Sequence, residues 1–176
     1  MCGIVLRMNM NTETLIATGR EVLHMASQYS TARAGAEMAI DRILYGYLQG
    51  TYGNVSRQHR VYIGSNKNPK RIDFRYGTSR PVVVELAVRP TNGGQQLDAS
   101  ANRPELQKLC RIGQSKARLR ALLLLDMSPF PLDKESLKQK YDSIHAGRGR
   151  FVRNPVQVLY VSKEVNYRFL WRPFKQ

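Results

Sequence analysis

RIDFRYGTSRPVVVELAVRP, residues 71–90, decides how the rest of the chain is read. Ile72, Phe74 and Tyr76 alternate with Asp73 and Arg75, the two-residue period of a half-buried strand. Gly77-Thr78-Ser79-Arg80-Pro81 carries turn chemistry. Residues 82–88 then form an apolar run, rich in valine, that holds a single charge at Glu85. A carboxylate in such a run is costly to bury unless it is paired or binds a metal. If the two strands pair, Asp73 and Glu85 meet at one place on the sheet. Two converging carboxylates suit a hard cation such as Mg²⁺. The plainer alternative is a surface hairpin whose acids face water or the neighbouring Arg75 and Arg89.

Upstream, Thr12 or Thr14 is placed to cap a helix over residues 12–29, and Ser30 or Thr31 a second over 32–49. In the second, Ala36, Ile40, Ile43, Leu44 and Tyr47 recur at helical spacing, and Glu37 borders that apolar face. Glu37 is therefore either a salt-bridged surface acid or a third carboxylate aimed at the sheet. Residues 60–64 read as a short strand and 65–69 as a turn with a basic tip. Downstream, 91–100 is a Gly/Gln/Asn-rich loop expected to be mobile, and Pro104 opens a helix over 103–116. Residues 121–125 are a buried-strand pattern, 132–145 a polar helix, and 147–153 a basic loop with one aromatic. Residues 155–162 and 167–171 close the chain as strands. The predicted order is α-α-β-β-β-α-β-α-β-β, an α/β fold with a mixed sheet and helices on both faces.

Composition suits one folded domain: 176 residues, 42% hydrophobic and 23% charged, with no repeats or low-complexity tract. The net charge is +15. Residues 1–56, a helical part, hold four basic and four acidic residues, so all the excess falls in a basic α/β core over 57–176. Such a field favours a polyanion, most simply nucleic acid, with DNA preferred and RNA left open, or a larger nucleoprotein assembly. Tyr52, Tyr62, Phe74, Tyr76 and Phe151 are candidates to stack on RNA bases, the alternative being core tyrosines. Membrane partners are not expected, because no run approaches the ~18 apolar residues of a span and no helix splits cleanly into basic and apolar faces. Two cysteines and three histidines argue against a disulfide framework and a zinc site. With no secretory leader pattern, the expected setting is cytoplasmic. The opening Met-Cys-Gly-Ile-Val resembles the start of N-terminal-nucleophile glutamine amidotransferases, but the Arg-Gly-Pro and Asp-Gly segments of that family do not follow.

A Glu-bearing helix, a hairpin with Asp73 and then Glu85, a helix and a buried strand together resemble the PD-(D/E)xK nuclease superfamily over residues 32–126. The resemblance implies a restriction-endonuclease-like fold, Mg²⁺ held by Asp73 and Glu85 with Glu37 as a helix-borne third acid, phosphodiester hydrolysis, and a homodimer on duplex substrates. It departs at Glu85-Leu86-Ala87, where the family's lysine is Ala87, and at Pro69, four residues before Asp73. Lys108 from the following helix is the candidate replacement. Arg89 is another, but an arginine stays protonated and would only stabilise charge. Lys67, Lys70, Arg71, Arg89, Arg111, Arg118, Arg148 and Arg150 are the expected phosphate contacts. The alternative is a catalytically inactive DNA- or RNA-binding or assembly subunit on the same fold.

Overall fold

The computed structural model describes residues 9–27, 36–63, 68–147 and 153–173. Two helices come first, α1 (Thr12–Ser27) and α2 (Ala36–Tyr52), followed by β1 (Val55–Val61), β2 (Lys70–Tyr76) and β3 (Val82–Arg89). Next are α3 (Arg103–Cys110), β4 (Leu119–Asp126), α4 (Lys134–Asp142), β5 (Val156–Ser162) and β6 (Asn166–Trp171). The order matches the sequence expectation element for element. The six strands lie side by side in chain order. β1, β2 and β3 form an antiparallel meander, β3, β4 and β5 are parallel, and β6 returns antiparallel. Parallel neighbours need crossovers, which α3 and α4 supply. Among the described residues no helix is long and apolar enough to cross a membrane.

Side-chain alternation along the central strands builds a core on each face. Val82, Val84, Leu86 and Val88 of β3, with Leu123 and Leu125 of β4, pack under Leu15, Val22, Ile40 and Leu44 of α1 and α2. Val83 and Ala87, with Leu122 and Leu124, pack under Leu106, Leu109, Leu137 and Tyr141 of α3 and α4. β3 is buried on both faces, as its valine-rich run requires.

Several boundaries and caps differ from the sequence reading, some set by local capping and others by tertiary contacts. α1 is capped by Asn11, whose Oδ1 accepts from Thr14 N at 2.9 Å while Thr14 Oγ1 accepts from Asn11 N at 2.8 Å. α3 stops at Cys110, because Asn154 takes its terminal carbonyls: the Asn154 N and Nδ2 both donate to Cys110 O, and Nδ2 also to Ile112 O. α4 begins after Asp133, whose Oδ2 accepts from Ser136 N at 2.8 Å. β1 starts five residues earlier than expected and pairs along β2. The loop expected to be mobile is pinned: Asn102 Nδ2 donates to Gln96 O and Asp98 O, Tyr141 Oη donates to Leu97 O, and Leu97 is buried. The amidotransferase-like opening, the caps Ser30 and Thr31, and most of the loops over 65–69 and 147–153 lie outside the described residues.

The simple alternation expected for β2 fails at Asp73. Ile72 packs in the α3–α4 core and Phe74 in the α1–α2 core, although two residues apart on a strand should share a face. The β1–β2 register pairs Arg57 with Phe74 and His59 with Ile72 but passes over Gln58 and Asp73. Gln58 stands in the left-handed region at φ 49°, a conformation costly for a residue with a Cβ. The kink turns Asp73 out of the ladder.

Candidate functional site

β2 and β3 pair at Phe74↔Val84 and toward the hairpin, and one further step would set Asp73 opposite Glu85. The strands part there instead, and side chains fill the gap. Asp73 Oδ2 accepts from Leu86 N and Oδ1 from Gln58 Nε2, each at 2.9 Å. Lys108, reaching down from α3, donates from Nζ to Arg71 O at 2.8 Å. The same ammonium lies 2.6 Å from Glu85 Oε1 and pairs with Glu105, one turn earlier on α3. Lys108 thus stands where β2 and β3 separate, tied to a backbone carbonyl of one and a carboxylate of the other.

Glu85 is 1% exposed on a strand buried on both faces. Its Oε1 has the ion-pair contact but no hydrogen-bond donor in a proper direction. Burial pushes the carboxyl up to about 10, and the negative charge of Asp73 adds to this, against the pull of Lys108. Burial alone would lower the Lys108 ammonium, but Glu85 and Glu105 outweigh it and raise the group. Glu85 therefore holds its proton more tightly than a free carboxyl does, while Lys108 stays charged beside Glu85 and Glu105. Glu37, in the first turn of α2, is exposed as a residue, yet its carboxyl is raised by loss of solvent, then by Asp73 and Glu105. It feels the same cluster.

Among the described residues, no three His, Cys, Asp or Glu side chains already form a metal cage. The groups that do converge are hard oxygen donors, the kind Mg²⁺ takes as one or two carboxylates with water completing its shell. Glu85 Oε1 faces the Lys108 ammonium, and each Asp73 oxygen accepts one bond where a carboxylate oxygen has two acceptor directions. This chemistry fits a divalent cation held by Asp73 and Glu85.

The structure thus brings Asp73, Glu85 and Lys108 together, with Glu37 at the edge of their field. Ala87 packs in the α3–α4 core, two residues beyond Glu85. Glu105 and Gln58 belong to the cluster and were not singled out from sequence. Glu105 had a readable signal, its place three residues before Lys108 on one helix, whereas Gln58 had none.

The expected phosphate contacts divide. Lys70, Arg71 and Arg118 are exposed, and Arg118 donates to Asn9 Oδ1 at 2.8 Å. Arg89 is a correction. Only 9% exposed, it donates from Nε to Asp126 Oδ1 at 2.8 Å and from its Nη2 to Asp126 Oδ2 and Phe130 O. Asp126 also accepts from Tyr160 Oη and Ser128 N, so this buried bracket joins the carboxyl ends of the parallel strands. Arg111 is half-buried and donates to Ala146 O at 3.1 Å, facing the chain itself. Lys67, Arg148 and Arg150 lie outside the described residues.

No family model matches the chain, and no curated protein matches it. Among solved structures it is similar to the crystal structure of SSO0001, at 13% identity over 95% of this chain and 80% of that one, with a TM-score of 0.29. A likeness that distant carries no argument.

Proposed function

We propose that this chain is a nucleic-acid-binding protein of restriction-endonuclease-like architecture that hydrolyses phosphodiester bonds of DNA with Mg²⁺ at Asp73, Glu85 and Lys108. The observation that carries the reading is the position of Lys108: an amine from α3 reaches Glu85 where the strand itself offers only Ala87. A bound Mg²⁺ supplies Lewis acidity, lowering the pKa of a coordinated water and offsetting charge on the phosphate. The chain's own groups do the rest. The Leu86 amide and Gln58 hold the Asp73 carboxylate in place. Glu85 gives up its proton to become a ligand, so cation affinity rises with pH. Lys108, released from Glu85, orients the attacking water or donates to a phosphoryl oxygen, while Glu105 keeps it charged. Exposed Lys70 and Arg71, beside Asp73 on β2, hold the backbone without reading sequence.

A second reading, a binding or assembly subunit without catalysis, is favoured by the same lysine in its other role. Lys108 already neutralises two acids, as a structural ion pair would. Mg²⁺-dependent cleavage of supercoiled, linear and branched DNA separates the two, with binding measured in Ca²⁺. Asp73→Ala, Glu85→Gln and Lys108→Met are expected each to lower cleavage by roughly 100-fold or more while binding persists. Salt-dependent binding with no wild-type cleavage would establish the second reading instead.

A further inference from the structure

The cluster of acids is flanked on the same face of the sheet by a groove of opposite charge. Its volume is about 320 Å³, small for a ligand cleft. Val83 and Ile112 form an apolar floor, and Arg75, Arg80 and Lys116 stand around it. Among the described residues lining the groove none is acidic. Tyr62 lies at its rim with 57% of its surface exposed, one of few large apolar side chains left so open among the described residues.

The groove is built rather than incidental. Lys116, from the loop between α3 and β4, donates to Tyr62 O at 3.1 Å and fastens the end of β1 across the opening. Arg75 donates to Thr78 O at 3.0 Å, which fixes its guanidinium beside the turn. Arg80 holds a left-handed backbone at φ 46° within that turn, a conformation that costs a non-glycine residue energy. Val83 belongs to the α3–α4 face, as does Ala87, so the groove and Glu85 share one side of β3. Val83 and Glu85 are two residues apart, roughly 7 Å at the rise of an extended strand.

We infer that this groove is the subsite for a single strand of nucleic acid, with one base stacked on Tyr62 and the phosphate beside it held by Arg80 and Lys116. A ring standing at a basic cleft with an apolar floor suits an unpaired base, whose face is free, and not a base whose neighbours in a duplex cover it. The inference rests on the nucleic-acid reading above and deepens it. The strand runs from the groove toward Glu85, so the chain acts on frayed, flapped or otherwise single-stranded segments.

The test measures binding by fluorescence anisotropy in EDTA, which takes hydrolysis out of the comparison. The probes are a labelled single-stranded oligothymidylate and a blunt duplex. Tyr62→Ala is expected to weaken binding of the single strand roughly 5- to 150-fold, the range for losing one stacked base, and Tyr62→Phe to restore it. Arg80→Gln combined with Lys116→Gln is expected to flatten the dependence of log K on log salt by about 1.4, at roughly 0.7 per contact on a single strand. All three positions are surface groups, and thermal unfolding checks that each variant stays folded. Single-strand binding unchanged in Tyr62→Ala overturns the subsite, as does an equal loss on duplex and single strand. Wild type that binds neither probe overturns the nucleic-acid reading itself. Groove variants that lose binding in a protein that never cleaves leave the subsite standing and remove only the hydrolysis.

Discussion

Glu85 shows how much one buried residue asks of its surroundings. An isolated carboxylate inside an apolar strand is unfavourable by several kcal/mol, and the chain meets that cost with a proton and with Lys108. The folded group binds its proton more tightly than the unfolded one. Stability is therefore greatest below the ordinary value of 4.5 and falls as the pH rises toward the folded value of about 10. Glu85→Gln removes that dependence. The variant's stability advantage is expected to grow between pH 6 and pH 8 by up to about 1.4 kcal/mol per pH unit in urea unfolding. A difference that stays flat with pH would mean that Glu85 remains ionised against Lys108. A charge in a valine run marked this residue in sequence, and the periodicity of β2 pointed to Asp73. Gln58 and Glu105 were less legible, because membership depended on a backbone kink and on how α3 lies across the strands.

At the scale of elements, close packing fixes how the helices sit on the sheet. α1 lies tightly on β4 and β5: a Cβ on Gly19 would meet Leu125 Cδ2 at 3.0 Å and Val161 Cγ2 at 3.2 Å. Replacing Gly19 with alanine sets the gain from helix propensity against that contact, so the larger Gly19→Leu is the clearer probe. It is expected to destabilise by about 2–3 kcal/mol through overpacking, read as a lower denaturation midpoint at unchanged slope. The order of elements was readable because most strands and helices here keep a clear period or apolar run, and Gly or Pro stands in every connection except the one between β5 and β6. Some of their ends were not, because distant partners set them: Asn154 ends α3, and the Tyr160 hydroxyl, accepting from Leu132 N, fixes the approach to α4.

For the whole molecule, charge organises the surface. The net of +15 predicts binding to nucleic acid that weakens steeply with salt. Exposed cations on β2 and before β4 carry a share of it. Replacing Lys70, Arg71 and Arg118 together by glutamine is expected to reduce the salt slope on duplex DNA by roughly 0.9 for each side chain that touches phosphate, evenly across sequences. A slope unchanged in the triple variant would place the DNA on another face. Arg89, by contrast, contributes nothing to such a surface, since Asp126 holds it inside.

The sequence by itself determined the class and order of this fold, the basic character of its surface, and the two strand carboxylates that must be dealt with wherever they meet. These follow from local rules: alternation along strands, helical spacing, and the cost of burying a charge. Only the tertiary structure decided which amine answers Glu85, which arginines remain outside, and that a basic groove with an open tyrosine lies beside the acids. Those outcomes depend on contacts between residues far apart in the chain: Lys108 on Arg71, Arg89 on Asp126, Lys116 on Tyr62. Such pairs leave no period and no motif, because what brings them together is the packing of whole elements.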